Sequence, residues 1–350
     1  MPIDPWLPRA AARHPDRAAV EAPEGSLTYA ELLDRVSRAL VSNGFAPEVA
    51  APIARTIAMC ERDGTLSHGL LRLPGYIDAV RSGWADGLAR PELVSRSASM
   101  VVMDARNGFT HLALALARDD LAELARTSGC AILLIRNAHH FAALWPDIEE
   151  FAEQGFIAMA CVTSRARVTG WGGGKPVFGT NASAFAAPRA GGTPIVWDQA
   201  ASVMSQGEIL RAMREGRSLP EGVGVDAQGN PTTDPRAILE GGALVPFGGV
   251  KGASIAFAVE VLAAALTGSP FGFESPAKGT LPSKCGEFVL VIDPRRADAD
   301  VDGRMEALVR EIRSAGSEHM PGSRRYQRRS RAMQEGIPLD PQYLEILGKE

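Results

Sequence analysis

Apolar residues recur at three- and four-residue steps over residues 27–40 (LTYAELLDRVSRAL), a helical spacing that Ser26 or Thr28 can cap at its start. The same periodicity predicts a helix near residues 49–63, a break at Gly64 and a further helical piece ending before Pro74. Residues 100–103 form a short strand pattern, and residues 112–128 an amphipathic helix stopped by Gly129. The run 130–135 (CAILLI) is short and wholly apolar, as a buried strand is. Further along come a helix at 141–154, a buried strand at 156–162, short strands at 184–187 and 194–198, a strand at 287–292 and a helix at 305–315. Residues 216–235 read as a long loop or arm, the tail from Pro321 is strongly basic, and a last helix is expected near 341–347. The most apolar stretch, 253–266, is interrupted by Glu260 and is shorter than the ~20 residues that cross a bilayer, so it reads as a buried helix.

Composition narrows the function classes. With 350 residues and 45% hydrophobic content the chain can bury a large core, divided into about two domains, without disulfides or structural metals. Lys+Arg (37) against Asp+Glu (41) leaves a net charge of −4, which argues against a nucleic-acid partner. Residues 1–17 lack the continuous apolar core of an export signal, and no stretch predicts a membrane span. Cys60, Cys130, Cys161 and Cys285 lie far apart with no CxxC pair, which fits neither a zinc site nor a disulfide framework; a reducing cytoplasm is the simplest setting.

Among six histidines, His68 is distinguished by its company. In SHGLLRLPGY, His68 and Arg72 are four apart, so on a helix they would share one face. That face would offer a proton donor titrating near neutrality and a planar cation suited to a carboxylate, a pairing useful for reducing a 2-oxo or 2-imino acid. The alternative is a helix-capping histidine and a surface ion pair, and spacing does not choose between them. His139 and His140 follow the 130–135 strand, where at least one ring is expected to face a cleft; they lack the spaced partners of a metal site. Gly172–Lys175 and Gly248–Gly252 each set flexible amides beside a lysine and could hold phosphate, although neither fits a P-loop or GxGxxG pattern. The second opens the apolar helix, whose N-terminal end favours an anion. Asp198, ending PIVWD, could orient an imidazole across a cleft. The run 323–329 (SRRYQRR) reads as a solvated or subunit-contacting face whose start could reach a cofactor phosphate.

The segments RDGTLSHGLLRLPGYI, IRNAHHFAALWPDIEEFAEQG, KPVFGTNASAFAAPR, PIVWDQAAS, PFGGVKG and MPGSRRYQRRSRAM, in that order, resemble the malate/L-lactate dehydrogenase family of NAD(P)-dependent oxidoreductases, and within it the cyclic imino-acid reductases. The likeness runs from about residue 27 to 337, and HHFAALWPDIE tilts it toward imino acids. It implies an α/β fold in which a non-Rossmann NAD(P)-binding domain with a mixed sheet (126–284) packs on a mainly helical domain built from residues 26–125 and 285–350, after an N-terminal extension (1–25). The leader's local similarity to the opening of adenylate-forming acyl-CoA ligases is set aside, because the remaining chain is too short for one. By resemblance His68 is the proton donor with Ser67 and Asp198 as hydrogen-bonded partners, and Arg72 holds the substrate carboxylate. His140, Phe141, Ala142, Ala143 and Leu144 would line the nicotinamide site, while Ser164, Pro188, Arg189, Lys251, Pro321, Gly322 and Ser323 would contact the rest of the cofactor. The implied cofactor is NADPH with NADH as the alternative, the assembly a homodimer, and no metal is expected. Ala182, Ala201 and Val250 stand where the family commonly has Pro, Thr and His, which touches cofactor affinity. The competing activities are a 2-hydroxy-acid dehydrogenase and a binding protein that has lost turnover.

Overall fold

The computed structural model describes residues 25–276, 281–343 and 345–348; the expected extension 1–25 lies, apart from Gly25, outside the described residues. The first helix, α1 (Tyr29–Val41), starts at a reciprocal cap: the Thr28 hydroxyl accepts from the Glu31 amide (3.2 Å), and the Glu31 carboxylate accepts from the Thr28 amide (2.8 Å). It packs on α2 (Pro47–Arg62), which buries Val49, Ile53 and Ile57. Pro74 does not end a helix, as its ring suggested. The chain instead makes two 3₁₀ turns, Leu66–His68 and Leu70–Arg72, and Pro74 then sits in the opening turn of α3 (Leu73–Arg81), where its missing N–H costs nothing.

The centre of the molecule is a seven-stranded sheet. Its strands are β1 (Glu92–Arg96), β2 (Met100–Asp104), β3 (Cys130–His140), β4 (Ile157–Val162), β5 (Ala182–Ala187), β6 (Ile195–Gln199) and β7 (Ser283–Ile292), in spatial order β1-β2-β3-β7-β4-β5-β6. Only the β2–β3 neighbours are parallel, so the sheet is mixed rather than doubly wound, as the resemblance implied. Helices α4 (Thr110–Ser128) and α5 (Trp145–Glu153) cover it and share its main core, which includes Leu121, Leu133, Phe151 and Val289. A smaller sheet, Pro231–Thr232, Gly224–Val225, Ala243–Leu244, Val168–Thr169 and Pro176–Phe178, carries α6 (Gln206–Arg214) and leads into α7 (Val250–Glu260). Two C-terminal helices follow, α8 (Val301–Ser314) and α9 (Ser323–Glu335).

Several expectations change. The 130–135 strand runs on through Arg136–His140, with Asn137 at φ 50° and a register shift between Cys285 and Glu287 absorbing the irregularity. The helix expected over 141–154 begins only at Trp145. Residues 216–235 hold two short strands rather than a free arm, the basic tail is helical, and 341–347 contains one 3₁₀ turn, Pro341–Tyr343. The helix at 253–266 buries Ala253, Ala256 and Val259 but exposes Ile255, Phe257, Val261 and Leu266. The sheet draws strands from both sides of the boundaries expected at 125 and 284, while Ser26–Leu27 pairs with Ile337–Pro338 and Leu347 joins the helical core.

Candidate active site

The two 3₁₀ turns between α2 and α3 bring His68 and Arg72 together, though not on one α-helical face. Gly69 joins the turns where a Cβ would lie 2.1 Å from Glu61 Oε1, and that oxygen accepts the Leu70 amide at 2.6 Å. Burial raises the Glu61 pKa to about 7, so this hydrogen bond holds the turn beneath His68 with a carboxyl that titrates near neutrality. Ser67 Oγ lies 2.9 Å from His68 Nδ1. Burial, with the charges of Arg72 and His140, pushes the His68 pKa down to about 3, so the imidazole is neutral at pH 7.

Arg72 is held from two sides. Its Nε donates to the Ser67 carbonyl at 2.8 Å, and its guanidinium carbon lies 4.4 Å over the Phe141 ring. Burial lowers its pKa, and among the described residues its two terminal nitrogens have no partner, whereas Arg62, Arg118, Arg189 and Arg329 are each paired with a carboxylate. A half-buried guanidinium with both terminal nitrogens left over is built to receive a planar anion.

Asp198 does not hydrogen-bond His68. Its Oδ2 accepts the amides of Leu144 (2.8 Å) and Trp145 (3.0 Å), capping the start of α5. Burial raises its pKa, against those amides and the charges of Arg325 and His140. It thus fixes α5 relative to β6, with the imidazole of His68 outside its reach. Nor does either ring of the His139–His140 pair face a cleft. His139 Nε2 meets Asn107 Oδ1 at 3.1 Å, while His140 stacks on His111 (5.6 Å between centroids, 15°) and meets Asp147 at 3.3 Å. Because β3 continues to His140, both side chains belong to a covered sheet and not to its edge.

The structure also assembles a group that spacing could not reveal. His140 from β3, Asp147 from α5 and Glu287 from β7 place ligand-type atoms within 4.8 Å of one another, all buried. Burial, reinforced by Asp147, pushes the Glu287 pKa to about 8. Burial works against the charged form of His140, but Asp147 and the neighbouring carboxylates outweigh it and raise its pKa.

A model of the malate/L-lactate dehydrogenase family matches residues 27–347. The chain belongs to the malate/L-lactate dehydrogenase family. It is 48% identical over 341 residues (96% of this chain, 98% of the relative) to a Δ1-pyrroline-2-carboxylate/Δ1-piperideine-2-carboxylate reductase of Pseudomonas syringae pv. tomato. The crystal structure of Δ1-piperideine-2-carboxylate reductase from that organism superposes with a TM-score of 0.90 at 48% identity, covering 92% of this chain and 98% of the other. A (2R)-3-sulfolactate dehydrogenase (NADP(+)) of Chromohalobacter salexigens is 39% identical over 279 residues, 78% of this chain and 82% of the relative.

The residues expected at the family's cofactor fall into two groups. Ser164, whose Oγ accepts the Thr180 amide at 3.0 Å, follows β4 at the end of the sheet where β3 finishes, and Lys251 lies in the first turn of α7, whose Gly252 faces the Ala201 carbonyl. Pro188 and Arg189 follow β5 at its opposite end, while Gly322 approaches the Val196 carbonyl of β6. Arg189 is already engaged, with Nε and Nη2 on Glu306 of α8 at 2.9 and 2.7 Å. Leu144 is wholly buried and Ala143 nearly so, leaving Phe141 and Ala142 as the partly open members of the 140–144 segment. The loop 172–175 packs instead on the 226–230 turn, where a Cβ on Gly174 would lie 3.0 Å from Gly229 Cα. Of the basic run 323–329, Arg325 reaches the Val196 carbonyl and lies 4.4 Å over Trp145, while Arg329 binds Asp63 and Glu149, so this face is not simply solvated.

Proposed function

We propose that this protein is an NADPH-dependent reductase of cyclic 2-imino acids, converting Δ1-piperideine-2-carboxylate to L-pipecolate and Δ1-pyrroline-2-carboxylate to L-proline. The observation that carries the reading is the half-buried Arg72, with both terminal nitrogens unpartnered among the described residues, near a histidine held neutral. Arg72 takes the substrate carboxylate in a bidentate pair, which orients the adjoining C=N carbon. If Nδ1–H of His68 donates to Ser67 Oγ, the Nε2 lone pair is left to accept the N–H of an iminium, the form of the substrate that takes up hydride. A 2-oxo acid would instead need a proton delivered to its carbonyl oxygen, and an imidazole with a pKa of about 3 is a poor source at pH 7. This favours C=N over C=O.

The chain's helix starts suit a dinucleotide. Gly248 (φ 55°) and Gly249 (φ 59°) open α7 beside exposed Lys251, and Gly322 (φ 83°) opens α9 after Pro321 and before Ser323, so each start presents amides and dipole to an anion. Bound NADPH would supply the hydride. We assign Ser164, Lys251 and Pro321–Ser323 to holding it, with Phe141 and Ala142 bordering the substrate side. The exposed apolar face of α7, with Phe257 5.7 Å from Trp171, supports a homodimer. Four free cysteines agree with the reducing cytoplasm, and no helix of the described residues is long and apolar enough to cross a membrane.

The test is oxidation of NADPH and NADH with Δ1-piperideine-2-carboxylate, Δ1-pyrroline-2-carboxylate and pyruvate, from pH 6 to 9. The imines should turn over faster, their rate should fall as rising pH removes the iminium, and His68→Ala should lose at least a hundredfold in kcat/KM. Preferential turnover of pyruvate would move the protein to the hydroxy-acid branch; tight NADPH binding with no turnover would make it a binding protein.

A further inference from the structure

Phe141 follows the sheet, one residue beyond the end of β3, whereas Arg72 belongs to the helical layer, yet the guanidinium carbon of Arg72 lies over the Phe141 ring at 4.4 Å. The ring can lie there because Gly75, in the first turn of α3, has no side chain: a Cβ on it would be 2.5 Å from Phe141 Cε1 and 3.3 Å from Cζ. The ring also packs on Tyr76, edge-on at 5.7 Å and 71°, which is itself wholly buried against Phe109 at 5.3 Å. The Arg72 guanidinium therefore lies over an immobilised aromatic ring with its Nε on the Ser67 carbonyl, so its remaining rotation is restricted.

We propose that Phe141, seated in the notch left by Gly75, is the positioning residue for the substrate carboxylate: it acts through Arg72, and so sets the enzyme's demand for a 2-carboxylate rather than lining the nicotinamide. This rests on the reading of Arg72 as the carboxylate anchor. A side chain without a flat face leaves the guanidinium free to turn, and the bidentate pair then has to be ordered again in every binding event.

Steady-state kinetics with four variants separate the two statements. Phe141→Leu should raise KM for Δ1-piperideine-2-carboxylate about tenfold, within the range a desolvated cation–aromatic contact supports, with kcat changed less than threefold. Phe141→Tyr, which keeps the ring, should restore KM, and Gly75→Ala, which evicts the ring, should behave like Phe141→Leu. The dissociation constant for NADPH, read by fluorescence, should stay within twofold in all three. Δ1-Piperideine, which lacks the carboxylate, should be reduced equally slowly by wild type and Phe141→Leu. If Arg72→Ala leaves KM unchanged, the anchor reading itself fails. If Arg72→Ala raises KM but Phe141→Leu does not, or if Phe141→Leu weakens NADPH instead, the positioning role is overturned. A melting curve on each variant checks folding, and Phe141→Leu carries the test should Gly75→Ala not fold.

Discussion

Glu287 shows how one side chain ties burial to pH. Its carboxyl has an ordinary pKa of 4.5 and, buried beside Asp147, one of about 8. Between those values the folded chain keeps a proton that the unfolded chain releases, so stability from this group declines as pH rises from about 4.5 and levels off above about 8. At roughly 1.4 kcal/mol per pH unit the accumulated cost is a few kcal/mol. Glu287→Gln removes the ionisation, so urea unfolding at pH 5 and pH 8 should show the variant losing less stability between the two than wild type. An identical pH dependence would mean that Glu287 is ionised in the folded protein. At the residue scale, sequence reading singled out His68 and Arg72 by their four-residue spacing, without choosing between a catalytic pair and a structural one. It missed the Gly69 junction that splits their helix, and it could not see Asp147 and Glu287 closing on His140, because three elements meet there through tertiary packing alone.

Helix α9 is an element whose role its own composition disguises. A run rich in arginine looks solvated, yet Arg329 reaches Asp63 at 2.5 Å and Glu149 at 2.6 Å, both carboxylates almost wholly buried, and Arg328 donates to the Gly64 carbonyl. These contacts clamp the end of α2, four residues before Ser67, to α5. Arg329→Met should therefore cost about 3–5 kcal/mol by leaving buried Glu149 without its cation and Asp63 with Arg62 alone, whereas Arg331→Met, whose pair with Glu335 is exposed, should leave the unfolding midpoint where it was. Equal, small changes in both would show that the buried acids find other partners. The signal was absent from the sequence because the acids lie about 180 and 266 residues away. Elements with strong internal periodicity, α1, α2, α4 and the apolar part of β3, were legible; β1, exposed along its whole length, offered no alternation to read.

On the scale of the molecule, the mixed sheet and its helical layer follow the family pattern, and the face of α7 carries the proposed dimer contact. Ile255 and Val261 are exposed there at 43% and 42%, an arrangement a lone soluble chain seldom keeps. The double substitution Ile255→Asp/Val261→Asp should convert a species of twice the chain mass into one of unit mass in sedimentation equilibrium, with circular dichroism unchanged. A wild-type protein that sediments as a single chain would remove the dimer from the proposal. The sequence suggested a buried helix here, because hydrophobicity alone does not distinguish a helix covered on every side from one with an exposed apolar face.

The position of β7 bears on how the protein is made. It pairs with β3 on one side and β4 on the other, though it follows both by more than 120 residues in the chain. A ribosome-bound chain that has not yet emitted residues 283–292 holds two half-sheets, β1-β2-β3 and β4-β5-β6, each with a naked inner edge of apolar strand. Such edges are templates for pairing with other chains, so a chain truncated before residue 283 should pellet on centrifugation where the full-length chain stays in solution.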